Sequence, residues 1–423
     1  MKKIIFIKTA VGASLIPLLA CLMMGCKGGG ATGSESELSK QSGVSKTSEI
    51  SGTSETEEQD PVSREVYAMD TYMTLTVYGD SEVAQEAVDQ AEQEIYRLDA
   101  LLSAQNSSSQ VAWLNENGGG TVTGDIALLL DRALGLWEST EGAFDIAIYP
   151  LEKAWGFDGT EHRVPTEEEI QKLLPLVDAG KVGYEIIDEE EAQAADSENS
   201  AGGTASAEDR ASAEKENARK TGVDSESEDS EDITGNVEFG LEGMEIDFGG
   251  IAKGYTSACL MDIFRKCGVT SAMVNLGGNV QTLGTKPDGS LWRVAVKDPD
   301  DPEKYLGIVN VSDKAVVTSG GYERYFEENG KIYHHILDPA TGYPADSGLL
   351  SVTIIAEDGT LADGLSTACF VMGLDQAESY WRSRRERGEE FDMILMTEDR
   401  KVYVTAGIAE NFTSENETIV CEE

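Results

Sequence analysis

The sequence has few basic residues, few histidines and no closely paired cysteines. Its 423 residues include 33 Lys and Arg against 78 Asp and Glu, which gives a net charge of −45. Because basic surface is needed to neutralise nucleic-acid phosphates, this balance argues against a nucleic-acid partner. The six cysteines form no C-x-x-C pair and only three histidines are present, so zinc, thioredoxin-like and histidine-rich metal sites are disfavoured. Beyond the first 25 residues, no apolar run is long enough to span a membrane.

The first 25 residues have the composition of a targeting segment. Two lysines precede Ala10–Gly25, which is almost wholly apolar, and a small residue stands before Cys26. This pattern resembles a bacterial lipoprotein signal, which is cut before a cysteine that then carries lipid. We therefore expect a signal peptide at 1–25, lipidation of Cys26, and a lipid anchor at the cell membrane on its extracytoplasmic face. Cleavage before Cys21, an ordinary secreted protein and an uncleaved anchor are the alternatives.

Two segments are too polar to bury a core. Residues 26–61 are mostly Gly, Ser, Thr and Glu, and residues 188–235 are dominated by Glu, Asp, Ser and Ala. Both are expected to be disordered. The first is interpreted as a tether, and the second as an insertion at the tip of a hairpin between strands predicted at Val182–Ile187 and Val237–Asp247. A folded domain is therefore expected over 62–423, interrupted by the acidic insertion.

A glycine-rich turn follows the second of these strands. Met244, Ile246 and Phe248 alternate with polar residues, which predicts a strand. Two glycines come next, and an amphipathic run that begins at Tyr255 predicts a helix. Backbone can approach a ligand closely at Gly249, Gly250 and Gly254, which have no Cβ, and the free N–H groups of a helix start suit a phosphate. The pattern is therefore a candidate phosphate or nucleotide site.

A carboxylate and a hydroxyl stand four residues apart near the C-terminal end. On a helix, Asp363 and Thr367 share one face. Two such oxygens suit a hard cation, Mg²⁺ or Ca²⁺. The alternative is structural, with Asp363 near a helix start and Thr367 bonded back to a main-chain carbonyl.

Stretches from about Val62 to Gly407 resemble the motifs of the ApbE family, the FAD:protein FMN transferases. In chain order they are Ala68–Thr71, Gly142–Asp145, Met244–Tyr255, Gly277–Asn279, Thr318–Arg324, His335–Gly342 and Leu361–Ala368. The string His-x-x-Asp-Pro-x-Thr-Gly, which begins at His335, is the most specific of them. Two positions depart from the family: Asp70 stands where Gly is usual, and Gln105 lacks the aromatic ring often found there.

The resemblance implies an α+β fold, a two-lobed domain with FAD in the cleft between the lobes. It implies contacts to FAD from Met69, Gln105, Ala143, Phe144, Asp145, Asp247, Lys253 and Ile336. It implies a metal, Mg²⁺ or Ca²⁺, on Asp363, Thr367 and a backbone carbonyl near Gly250. Asp363 then counts as catalytic together with His335, whose neutral imidazole is available as a base near neutral pH. A hydrogen bond that shapes its loop is the alternative role for His335.

The activity implied by the resemblance is a metal-dependent transfer of FMN from FAD to a Thr or Ser hydroxyl, with release of AMP. The expected partners are FAD, extracytoplasmic flavoprotein subunits with an exposed Thr or Ser, and the membrane through the lipid anchor. Three alternatives stay open: a Mg²⁺-dependent FAD pyrophosphatase that gives FMN and AMP, a non-enzymatic lipoprotein that binds FAD, and an adhesion or wall-associated protein, which only the acidic insertion suggests.

Overall fold

The structure, a computed structural model, describes residues 60–187, 233–301 and 303–422. The predicted signal peptide, the lipidation site Cys26, nearly all of the tether and most of the acidic insertion lie outside these residues. No helix in the described part of the chain combines the length and the apolar character needed to cross a bilayer.

Helices and antiparallel strands are mixed along the described ranges. The α-helices found there, α1 to α8, are Ser81–Leu102, Gln110–Asn117, Gly124–Ser139, Tyr149–Trp155, Glu167–Leu173, Ala252–Lys266, Gly359–Met372 and Leu374–Arg385. The strands of the same ranges, β1 to β17, are Val62–Ala68, Thr71–Tyr78, Gly119–Thr123, Val182–Ile187, Thr234–Phe239, Ser271–Leu276, Asn279–Leu283, Trp292–Lys297, Tyr305–Val311, Ala315–Gly320, Tyr325–Glu328, Lys331–His334, Leu349–Ala356, Phe391–Thr397, Val402–Thr405, Phe412–Thr413 and Thr418–Cys421. The predicted α+β class is confirmed.

Nine strands form the central sheet, in the order β1-β2-β6-β7-β10-β13-β14-β15-β17. Its neighbouring strands are antiparallel except for the last pair, β15 and β17. Two three-stranded sheets, β16-β9-β8 and β3-β5-β4, and the ribbon β11-β12 complete the β-structure of the described residues. Antiparallel pairing of this kind lets short turns carry functional side chains at the strand ends.

The middle strands of the central sheet are covered on both faces, and successive side chains of each strand point to opposite faces. Val316 and Ile355 pack against the β8–β9–β16 sheet. Val317 and Ile354, one residue away on each strand, join a cluster that contains α3 and α7. Helices α1 and α6 cover β1, β2 and β6 in a further cluster. The helices therefore approach one face of the sheet, where the turn β6–β7, the end of β10 and the start of α6 meet.

The segment Val66–Tyr78, whose apolar residues alternate as in β-structure, is a hairpin in the structure. Strands β1 and β2 pair from Ala68 and Thr71 outward, and Met69 and Asp70 form the two-residue turn between them. Both turn residues have positive φ, 48° and 57°. This is the conformation of a type I′ hairpin turn. The phase of the apolar alternation shifts by one residue across the turn, from Val66 and Ala68 in β1 to Met73, Leu75 and Val77 in β2.

The predicted strand Val237–Asp247 is confirmed only over its first three residues, because β5 ends at Phe239. Met244, Ile246 and Phe248 are buried as the alternation predicts, but no strand of the described residues pairs with them. The side chain of Asn115 takes the place of a partner strand: its amide oxygen accepts from Ile246 N (2.8 Å) and its amide nitrogen donates to Ile246 O (2.9 Å). The following helix begins at Ala252 and not at Tyr255.

The hairpin that was predicted to carry the acidic insertion is present. Strands β4 and β5 are antiparallel, and Ile187 pairs with Thr234. The predicted insertion, 188–235, therefore includes the first two residues of β5. Since the chain leaves and returns at paired positions of one ladder, the insertion interrupts a turn and not the sheet.

Candidate active site

The predicted site residues meet in one cavity of about 530 Å³. Twelve predicted site residues are on its wall, namely Met69, Gln105, Ala143, Phe144, Asp145, Asp247, Gly250, Lys253, His335, Ile336, Asp363 and Thr367. They come from the β1–β2 turn, the loop after α1, the segment before α4, the start of α6, the loop after β12, and α7. The fold thus brings together residues that are as far as 298 positions apart in sequence, while the role of each stays a prediction.

Asp363 and Thr367 lie on α7, as predicted, and face the cavity. The Asp363 carboxylate is buried and accepts a hydrogen bond from Gly254 N at 2.7 Å. Burial raises its pKa, although the Lys253 charge and the Gly254 amide oppose that rise. The back-bond to a helical carbonyl is made by Ser366, which donates to Asp363 O at 2.8 Å. The Thr367 hydroxyl lies instead 3.4 Å from a hydroxyl on β10, that of Ser319.

Two glycines of this stretch, Gly250 in the turn and Gly254 in the first turn of α6, have different structural roles. A Cβ at Gly254 would collide with the carbonyl oxygen of Gly359 and lie 2.5 Å from the Cβ of Asp363. Gly254 therefore permits the close contact of α6 with α7, and this corrects the expectation that it serves ligand approach. A Cβ at Gly250 would lie 3.2 Å from the Phe144 ring and 3.7 Å from the Thr367 hydroxyl. The Gly250 backbone is thus adjacent to Thr367, as the predicted metal site requires.

His335 has a defined tautomer. Its Nδ1 lies 3.1 Å from the carbonyl oxygen of Arg324, and a carbonyl only accepts, so Nδ1 carries the proton and Nε2 has a free lone pair. Burial, with the positive charges of Arg324 and Lys253, lowers the pKa of His335 to about 3. The neighbouring His334 does not line the cavity; its Nε2 lies 3.1 Å from Ala345 O. The hydrogen bond that shapes the loop and the free base nitrogen therefore coexist on one imidazole.

The wall of the cavity is strongly acidic. Among the described residues that line it, seven are acids, namely Asp70, Asp99, Asp145, Glu152, Asp247, Glu323 and Asp363, and two are bases, Lys253 and Arg324. Two of these acids have raised pKa values. Burial and the Asp247 charge raise the pKa of Glu152, and burial raises the pKa of Asp247. A diphosphate entering such a cavity needs additional positive charge.

Asp145 is engaged with backbone. Its two carboxylate oxygens accept from Ala147 N (2.7 Å) and Ala179 N (3.1 Å). Burial raises its pKa to about 6, although these N–H groups oppose the rise. Asp247 likewise accepts from Gly249 N at 2.5 Å. Both acids therefore hold the loops that form the cavity, whatever further contacts they make.

The residues around Asp363 fit a hard divalent cation. Its carboxylate, the hydroxyls of Thr367 and Ser319 and the nearby Gly250 backbone are oxygen donors, the kind that Mg²⁺ and Ca²⁺ take. A second cluster of possible ligands in the described chain, Glu94, Asp125 and Cys259, lies away from the cavity. There Arg97 and Tyr255 already bind the Asp125 carboxylate at 2.7 and 2.5 Å, so that cluster is an ion-paired network.

The sequence model of the ApbE family matches residues 69–391. The chain belongs to the ApbE family. An FAD:protein FMN transferase of Klebsiella pneumoniae is 32% identical over 344 residues, which cover 80% of this chain and 90% of that relative. One of Treponema pallidum is 30% identical over 367 residues, covering 82% and 88%. The crystal structure of an ApbE protein from Thermotoga maritima superposes with a TM-score of 0.67 at 27% identity and covers 83% of this chain and 99% of that one.

Several cavity residues of this ApbE-family chain were not predicted as site residues. Glu152 lies on α4, and its local pattern is that of a short amphipathic helix. Arg324 belongs to the motif Thr318–Arg324, but the hydrogen bond that its carbonyl oxygen accepts from His335 cannot be inferred from the sequence. Tyr67, on β1, lines the cavity although it is 56% exposed, and its ring meets that of Tyr72 edge-on at 5.0 Å. An exposed aromatic pair is the only one of these features with a sequence signal, two tyrosines that flank a turn.

Proposed function

We propose that the chain is an FAD:protein FMN transferase. In this reaction a divalent cation, Mg²⁺ or Ca²⁺, assists the transfer of FMN from FAD to a Thr or Ser hydroxyl of extracytoplasmic flavoproteins, and AMP is released. The relatives from K. pneumoniae and T. pallidum bear this name. The observation that carries the proposal is the convergence of the Asp363–Thr367 oxygens, the Gly250 backbone and the His335 base on one cavity.

The charge of the cavity supports the requirement for a cation. Seven acidic side chains against two basic ones would repel the diphosphate of FAD. Asp363, Thr367 and the Gly250 carbonyl would hold the cation, with Lys253 as a nearby fixed charge. When bound, the cation supplies charge neutralisation at the diphosphate and at the leaving AMP.

His335 is the candidate base for the acceptor. The acceptor Oγ forms a bond to the phosphorus on the FMN side, and the bond from that phosphorus to the bridging oxygen breaks, so AMP leaves. The hydroxyl proton passes to Nε2 of His335, because Nδ1 is already protonated against the Arg324 carbonyl. Substrate phosphates oppose the positive charges of Arg324 and Lys253, so FAD binding raises the pKa of His335 from its low value in the free protein.

The FAD-contact residues surround the rest of the cavity. Met69 is held at the β1–β2 turn by a hydrogen bond from its N–H to Asp99 (3.1 Å), and Thr256 Oγ1 lies 3.8 Å from its sulfur. Another part of the wall has both polar and apolar surface and is formed by Gln105, Ala143, Phe144 and Ile336. A wall of this kind suits a flavin ring, which has an apolar face and polar edges.

One assay tests the function. The full chain is incubated with FAD, Mg²⁺ and an extracytoplasmic flavoprotein subunit, and flavin fluorescence is sought on the subunit after denaturing electrophoresis while AMP is measured by chromatography. We expect a labelled subunit and an equal amount of AMP. AMP and FMN without a labelled subunit would support the pyrophosphatase instead, and no product at all would support an FAD-binding lipoprotein.

We also propose that lipid on Cys26 anchors the protein to the membrane at its extracytoplasmic face. The lipoprotein-like pattern of the first 25 residues supports this. Cells fed a labelled fatty acid should label the wild type and the Cys21→Ser variant, and not the Cys26→Ser variant. Label that survives in Cys26→Ser and disappears in Cys21→Ser would move the anchor to Cys21.

A further inference from the structure

One side chain on the cavity wall is buried without partners. In the described residues, six side chains have fully buried polar atoms that make no hydrogen bond, and these are Ser271, Asn279, Tyr322, His334, Ser347 and Ser351. Asn279 alone among them lines the cavity. It is 2% exposed, and both its amide oxygen and its amide nitrogen lack a partner.

The backbone holds Asn279 in place. It is the first residue of β7 and follows Gly277 and Gly278, whose φ values of 66° and 99° make the turn from β6. Its backbone is paired with Leu276 on one side and with Val317 on the other. The side chain therefore cannot turn towards solvent by a shift of the strand, and its position beside the cavity is imposed by the sheet.

The Asn279 amide lies beside Asp363. The amide is close enough to that carboxyl to lower its pKa, although the two do not form a well-directed hydrogen bond. A buried primary amide with no partner is unfavourable for the fold. A leucine would fill similar volume without that penalty, so the amide is best explained by a group that enters the cavity.

We propose that the Asn279 amide oxygen is a further ligand of the divalent cation that Asp363 and Thr367 hold; the inference rests on the cation of the proposed function. Hard cations accept amide carbonyl oxygens as readily as carboxylates and hydroxyls. A neutral amide completes the oxygen set without adding negative charge to a wall that already has seven acids. The amide nitrogen then stays free to donate to the Asp363 carboxylate.

Manganese binding to the full chain tests this ligand without any turnover. Mn²⁺ is titrated into the protein in the absence of nucleotide and followed by electron paramagnetic resonance, and ADP binding is measured separately at saturating Mn²⁺. We expect Asn279→Leu to weaken Mn²⁺ binding by roughly tenfold or more and to leave ADP binding at saturating Mn²⁺ unchanged. Asn279→Asp should bind Mn²⁺ at least as tightly as the wild type.

A second readout detects the cost of the unpaired amide. The metal-free Asn279→Leu variant should unfold at a higher temperature than the metal-free wild type, and added Mn²⁺ should raise its Tm less. Ser351→Ala is the matched control, because it removes a buried unpaired hydroxyl from β13 away from the cavity; its Mn²⁺ affinity should equal that of the wild type.

The possible failures are distinguishable. Unchanged Mn²⁺ affinity in Asn279→Leu would overturn the ligand assignment and leave the Asp363 site intact. Lost ADP binding with unchanged Mn²⁺ affinity would also overturn it, because the amide would then contact phosphate. A wild type that binds no Mn²⁺ would overturn both this inference and the cation of the proposed function.

Discussion

Asp363 accepts a hydrogen bond from the Gly254 amide and lines the cavity at the same time. Replacement by Asn keeps an oxygen for that amide and removes the charge. We predict that Asp363→Asn folds normally and loses transfer activity by roughly 100- to 1000-fold, as expected when one strong electrostatic contact to the reacting group is removed. Initial rates of AMP release measure the loss.

The control lies on the same helix. Asp358 caps the start of α7, where its carboxylate accepts from Thr360 N and Leu361 N, and it does not line the cavity. Asp358→Ala should cost about 1 kcal/mol of stability and keep the rate per folded molecule. Wild-type rates in Asp363→Asn would refute the proposed cation site.

His335 makes a pH-dependent contribution to stability. Its pKa is about 3 in the folded protein, below the roughly 6.5 of an unfolded chain. The unfolded state therefore binds the proton first, so the contribution is present above pH 6.5 and is lost as pH falls towards 3, by at most about 1.4 kcal/mol per pH unit. Urea unfolding of the wild type and of His335→Gln from pH 7 to pH 5 should show the difference between them shrink on acidification. A difference that is constant over this range would contradict the lowered pKa.

At the residue scale, sequence reasoning found the side chains that motifs carry. The i,i+4 spacing of Asp363 and Thr367 placed them correctly on one helix face. The missing partners of Asn279 and the tautomer of His335 were not accessible, because both depend on atoms brought in from other strands and loops. Chemistry that is local in sequence was predictable, and chemistry set by tertiary neighbours was not.

At the scale of elements, the α6–α7 contact depends on glycine. A Cβ at Gly254 would meet the backbone of Gly359 and the Cβ of Asp363. We predict that Gly254→Ala separates the two helices, lowers stability by about 1–3 kcal/mol and reduces activity by displacing Asp363. Thermal unfolding and transfer rates measure the two effects.

Gly135 is the matched control for that substitution. It lies inside α3 with no atom within 4 Å of an added Cβ. Gly135→Ala should therefore stabilise the protein by about 0.5–1 kcal/mol through helix propensity alone. A Gly254→Ala variant as stable and active as Gly135→Ala would show that the helix contact tolerates a methyl group.

At the β1–β2 turn, a substitution by glycine is expected to preserve or raise stability, in contrast to the loss expected for Gly254→Ala. Asp70 has φ 57°, a conformation that costs a residue with a Cβ about 1–2 kcal/mol and that Asp tolerates better than most residues. Asp70→Gly should leave stability unchanged or raise it, whereas Asp70→Val should lower it by about 1–2 kcal/mol. The midpoints of urea unfolding measure these changes. Equal midpoints for the Gly and Val variants would contradict the positive φ at Asp70.

The elements that were predicted correctly have strong periodicity and ordinary ladders or helical hydrogen bonds. Strand β4 matches its predicted bounds, and the helix that contains Asp363 is where its spacing placed it. Sequence patterns were misleading or incomplete where a side chain or a turn takes the place of backbone hydrogen bonds between strands. Asn115 satisfies the Ile246 backbone in place of a strand, and the Met69–Asp70 turn reverses the chain between two alternating runs that differ in phase by one residue.

At the scale of the whole molecule, both the chain as a whole and the wall of the cavity have an excess of acidic residues. The chain has a net charge of −45, and the cavity has seven acids against two bases among its described lining residues. An anionic substrate that enters such a field needs a compensating cation in direct contact. The proposed function therefore depends on cation binding for substrate affinity as well as for the reaction.

The proposed cation site can be located by anomalous diffraction from crystals of the chain grown with FAD and Mn²⁺. We predict a manganese peak within coordination distance of the Asp363 carboxylate, the Thr367 hydroxyl and the diphosphate of FAD. Bound FAD whose diphosphate lies away from these side chains, or a manganese peak elsewhere in the cavity, would contradict it.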